Sequence, residues 1–241
     1  HKFSYNTYGQ LAEDRKLDYG LGTSTIGRTL YVSDLTDASK IGDIYSSMRP
    51  AGMEGLKVKE FTAFKKSADM SDSGLRLTSG TSYAYKLSNG KPLLHKVSLL
   101  KTGISASGPF PGFDYESDLY DDVSIRYDNE HRPVEETDRM GIKTTYLWGY
   151  GGMYPVAVLK NCSLETYLSS VGDSGSGTCF PGSLPESVKA ILYADDRFET
   201  TVYDYVPHVG ISCMTDQSGR TIYYTYDGMG RLIQLMTEAK L

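Results

Sequence analysis

The sequence predicts a mainly β protein, an antiparallel sheet of successive Tyr-Asp hairpins with a small helical insertion near residues 163–194. Three observations predict it. A Tyr-Asp-to-Gly motif recurs along the chain, alternating runs of β-branched and aromatic residues flank it, and 20 of the 241 residues are tyrosine against seven Phe and one Trp. A phenol ring suits a half-buried pleated face from which its hydroxyl reaches water. The expected organisation is a single elongated β domain over 1–241, with 161–196 as an insertion within it. A chain of this length can bury roughly 70–75% of its unfolded surface, so a proper core is feasible.

The motif has four copies. The clearest is Tyr226-Asp227-Gly228-Met229-Gly230-Arg231-Leu232-Ile233, and Tyr127-Asp128-Asn129-Glu130-His131-Arg132-Pro133-Val134 follows it closely. A third, Tyr5-Asn6-Thr7-Tyr8-Gly9-Gln10-Leu11, opens the chain, and a degenerate fourth runs from Trp148-Gly149 to Gly152. A second element, Thr137-Asp138-Arg139-Met140-Gly141, precedes the Trp148 copy, and Thr215-Asp216-Gln217-Ser218-Gly219 precedes the Tyr226 copy. Asp138 to Trp148 and Asp216 to Tyr226 are both ten positions apart. Each copy reads as strand, tight turn, strand. Asp or Asn bonds its own turn backbone, Gly takes positive φ, and the Arg or Gln after it resumes the strand. Ile222 to Tyr226 leads into the last turn and Leu232 to Leu235 returns from it. One hairpin alone is marginal, whereas neighbouring hairpins share a buried face.

Between the copies, Leu56 to Phe64 and Thr81 to Leu87 alternate with the two-residue period of a strand. The polar stretch from Lys65 to Gly80 reads as a long hairpin loop, and Gly103 to Asp122, with Pro109 and Pro111, as a second. Residues 23–50 fit a strand near Thr29 to Val32 and a short helix around Ser39 to Met48. In the insertion, Ser163 caps a helix through Leu168 that ends near Gly172. Ser183 and Glu186 have capping-box spacing before a second helix to about Ala194, with Pro185 in its first turn. Val188, Ile191 and Leu192 lie on one face of that helix, where they close one end of the sheet.

A formal charge of −5 and a pI near 5.4 argue against a nucleic-acid ligand, which needs clustered Lys and Arg. No run approaches the ~18 apolar residues of a transmembrane helix. The start at His1 fits a processed or trimmed chain. Cys162, Cys179 and Cys213 form no CxxC pair and allow at most one bridge, with Cys162–Cys179 the first pairing to test.

These motifs resemble the rearrangement-hotspot, or YD-repeat, family, whose repeat looks like Tyr-Asp-x-x-Gly-Arg-Leu followed by Thr-Asp-x-x-Gly. The Tyr226 copy fits completely. His131 and Pro133 depart in the second copy, Asn6 and Gln10 in the first. Thr145-Tyr146-Leu147-Trp148-Gly149-Tyr150 with Tyr154-Pro155-Val156, and Val209-Gly210-Ile211 through Thr215-Asp216, are similar to large cell-surface YD-repeat proteins of Bacteroides-type bacteria. The resemblance runs from about Val123 to Arg231. It implies hairpins wound into a strip or hollow shell, as in teneurins and bacterial toxin complexes, a mainly structural role, and an extracellular or cell-surface location. Some members enclose a C-terminal toxin, but the segments tied to that role do not appear in this sequence.

Other chemistry is weighed residue by residue. Gly172-Asp173-Ser174-Gly175 copies the nucleophile segment of trypsin-like proteases, yet His1, His95, His131 and His208 stand in no triad-like setting, and a flexible linker accounts for it. Gly22 to Thr29 nearly matches a phosphate-binding loop, but Arg28 replaces the lysine and Leu30-Tyr31-Val32 reads as strand, which leaves an ordinary turn. Asp114, Glu116, Asp118, Asp121 and Asp122 could ligate calcium or form a solvated acidic loop. His131 and His208 fall at turn positions. No catalytic residue, metal ligand or cofactor is expected. The residues singled out are structural turn residues: Tyr5, Asn6, Gly9, Tyr127, Asp128, Asp138, Gly141, Trp148, Gly152, Asp216, Gly219, Tyr226, Asp227, Gly230 and Arg231. A cell-surface glycan or protein met by an aromatic face, and self-association through a sheet edge, are the partner readings.

Overall fold

The computed structural model describes residues 1–35, 43–101, 119–172 and 177–238. As expected, the chain is mainly β: the described residues form fourteen strands, each paired with antiparallel neighbours that adjoin it in sequence, and three short α-helices. It divides into two compact units, His1–Ser124 and Ile125–Leu241.

The first unit contains β1 (Lys2–Tyr5), β2 (Leu11–Asp18), β3 (Thr23–Tyr31), β4 (Lys57–Lys65), β5 (Arg76–Ser88), β6 (Lys91–Leu100) and most of β7 (Leu119–Tyr127). Its register sets one face. Arg15 pairs with Ile26, Ile26 with Ala63 and Ala63 with Leu77, so these four side chains share a side of the sheet. Ile26, Ala63, Leu75, Leu77 and Leu100 form a buried cluster there. A second cluster joins Val32, Met48 and Val58, with Met48 supplied by α1 (Asp43–Met48). Burial of each large side chain contributes about 1.5–3 kcal/mol.

The second unit contains β8 (Pro133–Asp138), β9 (Lys143–Gly149), β10 (Tyr154–Lys160), α2 (Leu164–Val171), α3 (Glu186–Ala194), β11 (Glu199–Val206), β12 (Gly210–Thr215), β13 (Thr221–Tyr226) and β14 (Leu232–Glu238). Its core lies where the helical insertion meets the sheet. Leu147, Val156, Leu159 and Val202 from strands pack with Tyr167, Leu184, Val188 and Leu192 from the insertion. The Ser163 hydroxyl accepts from Thr166 N at 3.0 Å, satisfying one of the free amides at the start of α2. Glu135, 5% exposed on β8, accepts from Leu164 N at 2.7 Å and lies 3.2 Å from Lys143 Nζ. A carboxylate at this positive helix end ties the insertion to the repeat strands.

Several expectations are corrected. The strand placed at Thr29–Val32 begins at Thr23, so the phosphate-loop lookalike is mostly strand; Val32–Asp34 forms a 3-10 turn. The helix expected from Ser39 is observed from Asp43; residues 39–42 lie outside the described residues. The loop read over Lys65 to Gly80 is confined to 66–75, because β5 starts at Arg76. Asp121 and Asp122 belong to β7 and not to a loop, while Asp114, Glu116 and Asp118 lie outside the described residues. Asp121 pairs with Ser98 of β6, and Asp122 sits at the bulge beside it. Ser183 makes no capping box: Pro185 is itself the N-cap, with no side-chain cap bond. Asp173, Ser174 and Gly175 lie outside the described residues.

The cysteines are free thiols, so Cys162 and Cys179 are not bridged. The backbone explains why. Cys162 N bonds Lys143 O at the start of β9, whereas Cys179 pairs beside Trp148 near its end. Five residues of strand, about 16 Å, separate those anchor points, beyond the reach of a disulfide.

Cys179 belongs to a strap, residues 177–182, that lies along the end of β9. Trp148 N donates to Thr178 O, Phe180 N to Trp148 O, and Tyr150 N to Gly182 O. Gly149 is the point of closest approach. A Cβ there would lie 2.3 Å from Val156 Cγ1 and 2.4 Å from Gly182 O. Gly149→Ala is expected to cost about 2–3 kcal/mol through overpacking, whereas Gly27→Ala, with open space around it, stays within about 0.5 kcal/mol. Urea denaturation of both variants measures the difference.

Candidate functional site

The feature the structure repeats most faithfully is a turn. It joins β1–β2, β7–β8, β8–β9, β12–β13 and β13–β14, opening at Asn6, Asp128, Asp138, Asp216 and Asp227. In each, the opening residue's side-chain Oδ1 accepts two amides, from the second and fourth residues after it. The pairs are Tyr8 and Gln10 on Asn6 (3.0 and 2.9 Å), Glu130 and Arg132 on Asp128 (2.9 and 2.9 Å), and Met140 and Ile142 on Asp138 (2.8 and 2.9 Å). Ser218 and Arg220 do the same on Asp216 (2.9 and 3.0 Å), and Met229 and Arg231 on Asp227 (2.9 and 2.9 Å). The backbone closes each turn twice more. The opening amide donates to the fourth carbonyl, as Asp227 N to Arg231 O at 2.9 Å, and the third amide returns to the opening carbonyl, as Gly230 N to Asp227 O at 2.9 Å.

The third residue must take positive φ. Gly9, Gly141, Gly219 and Gly230 do so at 77°, 80°, 76° and 74°, and His131 does so at 70° with a side chain attached. A non-glycine residue pays a steric cost there. His131 Nδ1 is also buried without a hydrogen-bond partner.

The fourth residue after the opener was read as resuming the strand; instead it turns back. Arg132 Nε donates to Asp128 Oδ2 at 2.8 Å, Arg220 Nε to Asp216 Oδ2 at 2.9 Å and Arg231 Nε to Asp227 Oδ2 at 2.7 Å. Asn6 Nδ2 and Gln10 Oε1 form the uncharged equivalent at 2.7 Å. The strands begin one residue later, at Pro133, Thr221, Leu232 and Leu11. At Asp216 burial pushes the carboxyl up, but the bonds and charge of Arg220 and the Ser218 amide outweigh it and hold it below the ordinary range. At Asp227 the Arg231 amide and guanidinium act in the same downward direction. The spacing of Arg four positions after Asp was the available signal for this clasp.

The Tyr before the last turn also has a partner. Tyr226 donates through its hydroxyl to Ile211 O at 2.9 Å. Gly210 makes room for the ring, since a Cβ there would lie 2.6 Å from that hydroxyl. Tyr5, on the edge strand β1, is 63% exposed, and the burial of Tyr127 raises its pKa. At Tyr5 and Tyr226 alike the pairing register shifts by a bulge, Tyr5 facing Leu11 and Tyr226 facing Leu232.

The Trp148 copy is built differently. Tyr150, Gly151 and Gly152 all have positive φ, and the strap supplies the contacts that an opening Asp supplies elsewhere. Trp148 Nε1 donates to Pro133 O at 2.9 Å. Gly152 packs on Arg132, whose Nη1 would lie 2.0 Å from any Cβ. Beside this turn, Tyr154 and Tyr205 stack with ring centres 4.6 Å apart, and Tyr150 meets both edge-on. Their hydroxyls are committed to backbone: Tyr205 to Pro155 O, Tyr150 to Tyr205 O, and Tyr154 accepting from His208 N.

Burial and the nearby Asp195 charge push the Cys162 thiol up to about 11, and burial with Asp204 raises Cys213, which makes both poorer nucleophiles. Among the described residues no three His, Cys, Asp or Glu are placed to hold a metal ion.

No family model matches the chain, and no curated protein matches it. Solved structures give a partial likeness: a TcdB2–TccC3–Cdc42 complex (12% identity, TM-score 0.40, 99% of this chain and 12% of that one) and TcdB2–TccC3 without its hypervariable C-terminal region (11%, 0.41, 98% and 12%). A third is the Photorhabdus luminescens Tc holotoxin pore with a substituted TccC3 (12%, 0.38, 98% and 11%). The chain thus spans about one eighth of their length, and at these scores nothing about its family or activity follows.

Asp128→Ala removes the acceptor of three hydrogen bonds and leaves Arg132 unpaired. The expected loss is about 2 kcal/mol, with Asp128→Asn losing less because one carbonyl oxygen remains; chemical denaturation of the two variants measures both.

Proposed function

We propose that the chain is a non-catalytic structural scaffold, a stretch of a cell-surface or secreted protein of YD-repeat type. The observation that carries the reading is the same turn built at Asn6, Asp128, Asp138, Asp216 and Asp227 with near-identical hydrogen bonds to the opening side chain. A binding site needs individual side chains, whereas a frame needs the same geometry again and again. Similarity to Bacteroides-type surface proteins rests on the motifs around Trp148 and Val209. The glycan-reading alternative has less support, because Tyr150, Tyr154 and Tyr205 spend their hydroxyls on backbone.

Interchangeability tests the scaffold. Gly228→Gln together with Met229→Ser makes 227–231 identical to 216–220. Stability is expected to change by less than about 0.5 kcal/mol and the activity of the intact protein to stay unchanged. A variant that folds but abolishes that activity would show that this turn reads a ligand.

Among the described residues β14 pairs with β13 alone, and its other edge supports self-association as the partner reading. Leu232, Ile233, Leu235 and Met236 are 49%, 63%, 58% and 51% exposed, and no Pro or Lys within Leu232–Glu238 blunts the strand. Antiparallel pairing with a second copy, centred on Leu235, sets Leu235 opposite its own counterpart and Ile233 opposite Thr237 of that copy. Sedimentation velocity is expected to show a concentration-dependent dimer that Leu235→Lys abolishes; a wild-type chain that stays monomeric at high concentration removes this reading.

A further inference from the structure

In the first unit the segment between β4 and β5 does not project from the sheet as a plain hairpin loop. It is held down by cations that the sheet presents. Arg15 Nε bonds Glu13 Oε1 at 2.9 Å and its Nη2 bonds Asp72 Oδ1 at 2.5 Å, while Arg28 Nε bonds Glu13 Oε2 at 2.6 Å and its Nη2 bonds Asp72 Oδ2 at 2.8 Å. Two carboxylates and two guanidinium groups therefore close a ring in which every carboxylate oxygen is used. Arg15 also donates to Met70 O at 2.6 Å and Ser71 O at 3.2 Å. Lys65 Nζ holds Asp69 Oδ1 at 2.5 Å and Ser71 O at 2.6 Å, and the Ser24 hydroxyl donates to Ser67 O at 2.5 Å.

Burial makes this arrangement conditional. The side chains of Arg15 and Lys65 are each 3% exposed. A buried cation is tolerable only while its anion is charged, and removing one partner leaves the other uncompensated. Beneath the segment lie Ile26, Ala63 and Leu77, with Leu75 reaching down from the segment itself.

We propose that residues 66–75 form an acid-released strap: protonation of Glu13, Asp69 and Asp72 frees the segment as a unit and uncovers the apolar floor of Ile26, Ala63 and Leu77. The charged groups facing it are Glu13 and Arg15 on β2, Arg28 on β3, Lys65 on β4, and Asp69 and Asp72 on the strap itself. β5 and β6 contribute the apolar Leu77 and Leu100. Lys66 and Arg76, at its ends, are exposed.

The sign follows from the carboxyls. At Glu13 and Asp72 burial works to raise the pKa, but the bonds and charges of Arg15 and Arg28 overcome it and hold both below their ordinary 4.5 and 3.8. Asp69 is lowered chiefly by Lys65. Groups with depressed folded-state pKa values stabilise fully above their ordinary values, and that contribution is lost as pH falls through the folded ones. The strap is therefore tight at neutral pH and weakens below about pH 4.

Backbone 15N relaxation on the full chain, followed from about pH 7 to about pH 1, so that the lowered carboxyls are all titrated, tests this. Order parameters for 66–75 are expected to fall below about 0.6 in acid while those of β3 and β4 stay near about 0.85. Asp72→Asn is expected to loosen the strap already at neutral pH and to flatten the pH dependence. A strap that stays ordered in acid, strands that lose order together with it, or an Asp72→Asn strap as rigid as wild type would each overturn the proposal. The wild-type titration decides the matter even if the variant fails to fold.

Discussion

One oxygen atom at the start of each repeated turn holds two backbone amides, and the strand order depends on it. A hairpin's register is decided at its turn, and a slip of one residue would send every inward side chain to the opposite face. By accepting from the second and fourth amides together, the opening Asp or Asn leaves the chain one way to reverse. Glycine or His131 then supplies the positive φ that such a reversal needs. In the last hairpin the bulge at Tyr226 follows from the same geometry, and it brings the ring over Gly210 so that the hydroxyl reaches a neighbouring carbonyl.

The clasp from the fourth residue reinforces the turn without defining it. Asp138 lacks one, since Ile142 stands where other copies have Arg or Gln, and its backbone bonds are the same length as theirs. The Asp216–Arg220 and Asp227–Arg231 pairs, whose arginines are exposed, contribute little individually. The amides, shielded within the turn, carry the conformation. Where the opening Asp is missing altogether, at Trp148, the strap over 177–182 takes its place, and the helical insertion is thereby part of the frame.

The two units solve the problem of a sheet face in different ways. In the second, α2 and α3 cover it with apolar side chains, and Glu135 meets the first amide of α2. In the first, part of the covering is a polar segment, fastened by Arg15, Arg28 and Lys65. Apolar covering is insensitive to pH, whereas ionic fastening depends on which carboxyls keep their charge.

Local chemistry alone was enough to identify the turns and the strands beside them. Asp, Gly and alternating β-branched or aromatic residues act within five or six positions, so Tyr226 to Leu235 could be read directly, as could Ser163 as a helix cap. The Arg clasp was also within reach, from the four-residue spacing of Asp and Arg. Long-range geometry decided the rest. Nothing near residues 66–75 announces that Arg15, some 55 positions away, will hold them down. Nothing in the spacing of Cys162 and Cys179 shows that β9 keeps them apart. Neither the strap that replaces an Asp at Trp148 nor the loss of the Ser183 cap could be read locally, because each depends on a segment whose position is set by burial against distant strands.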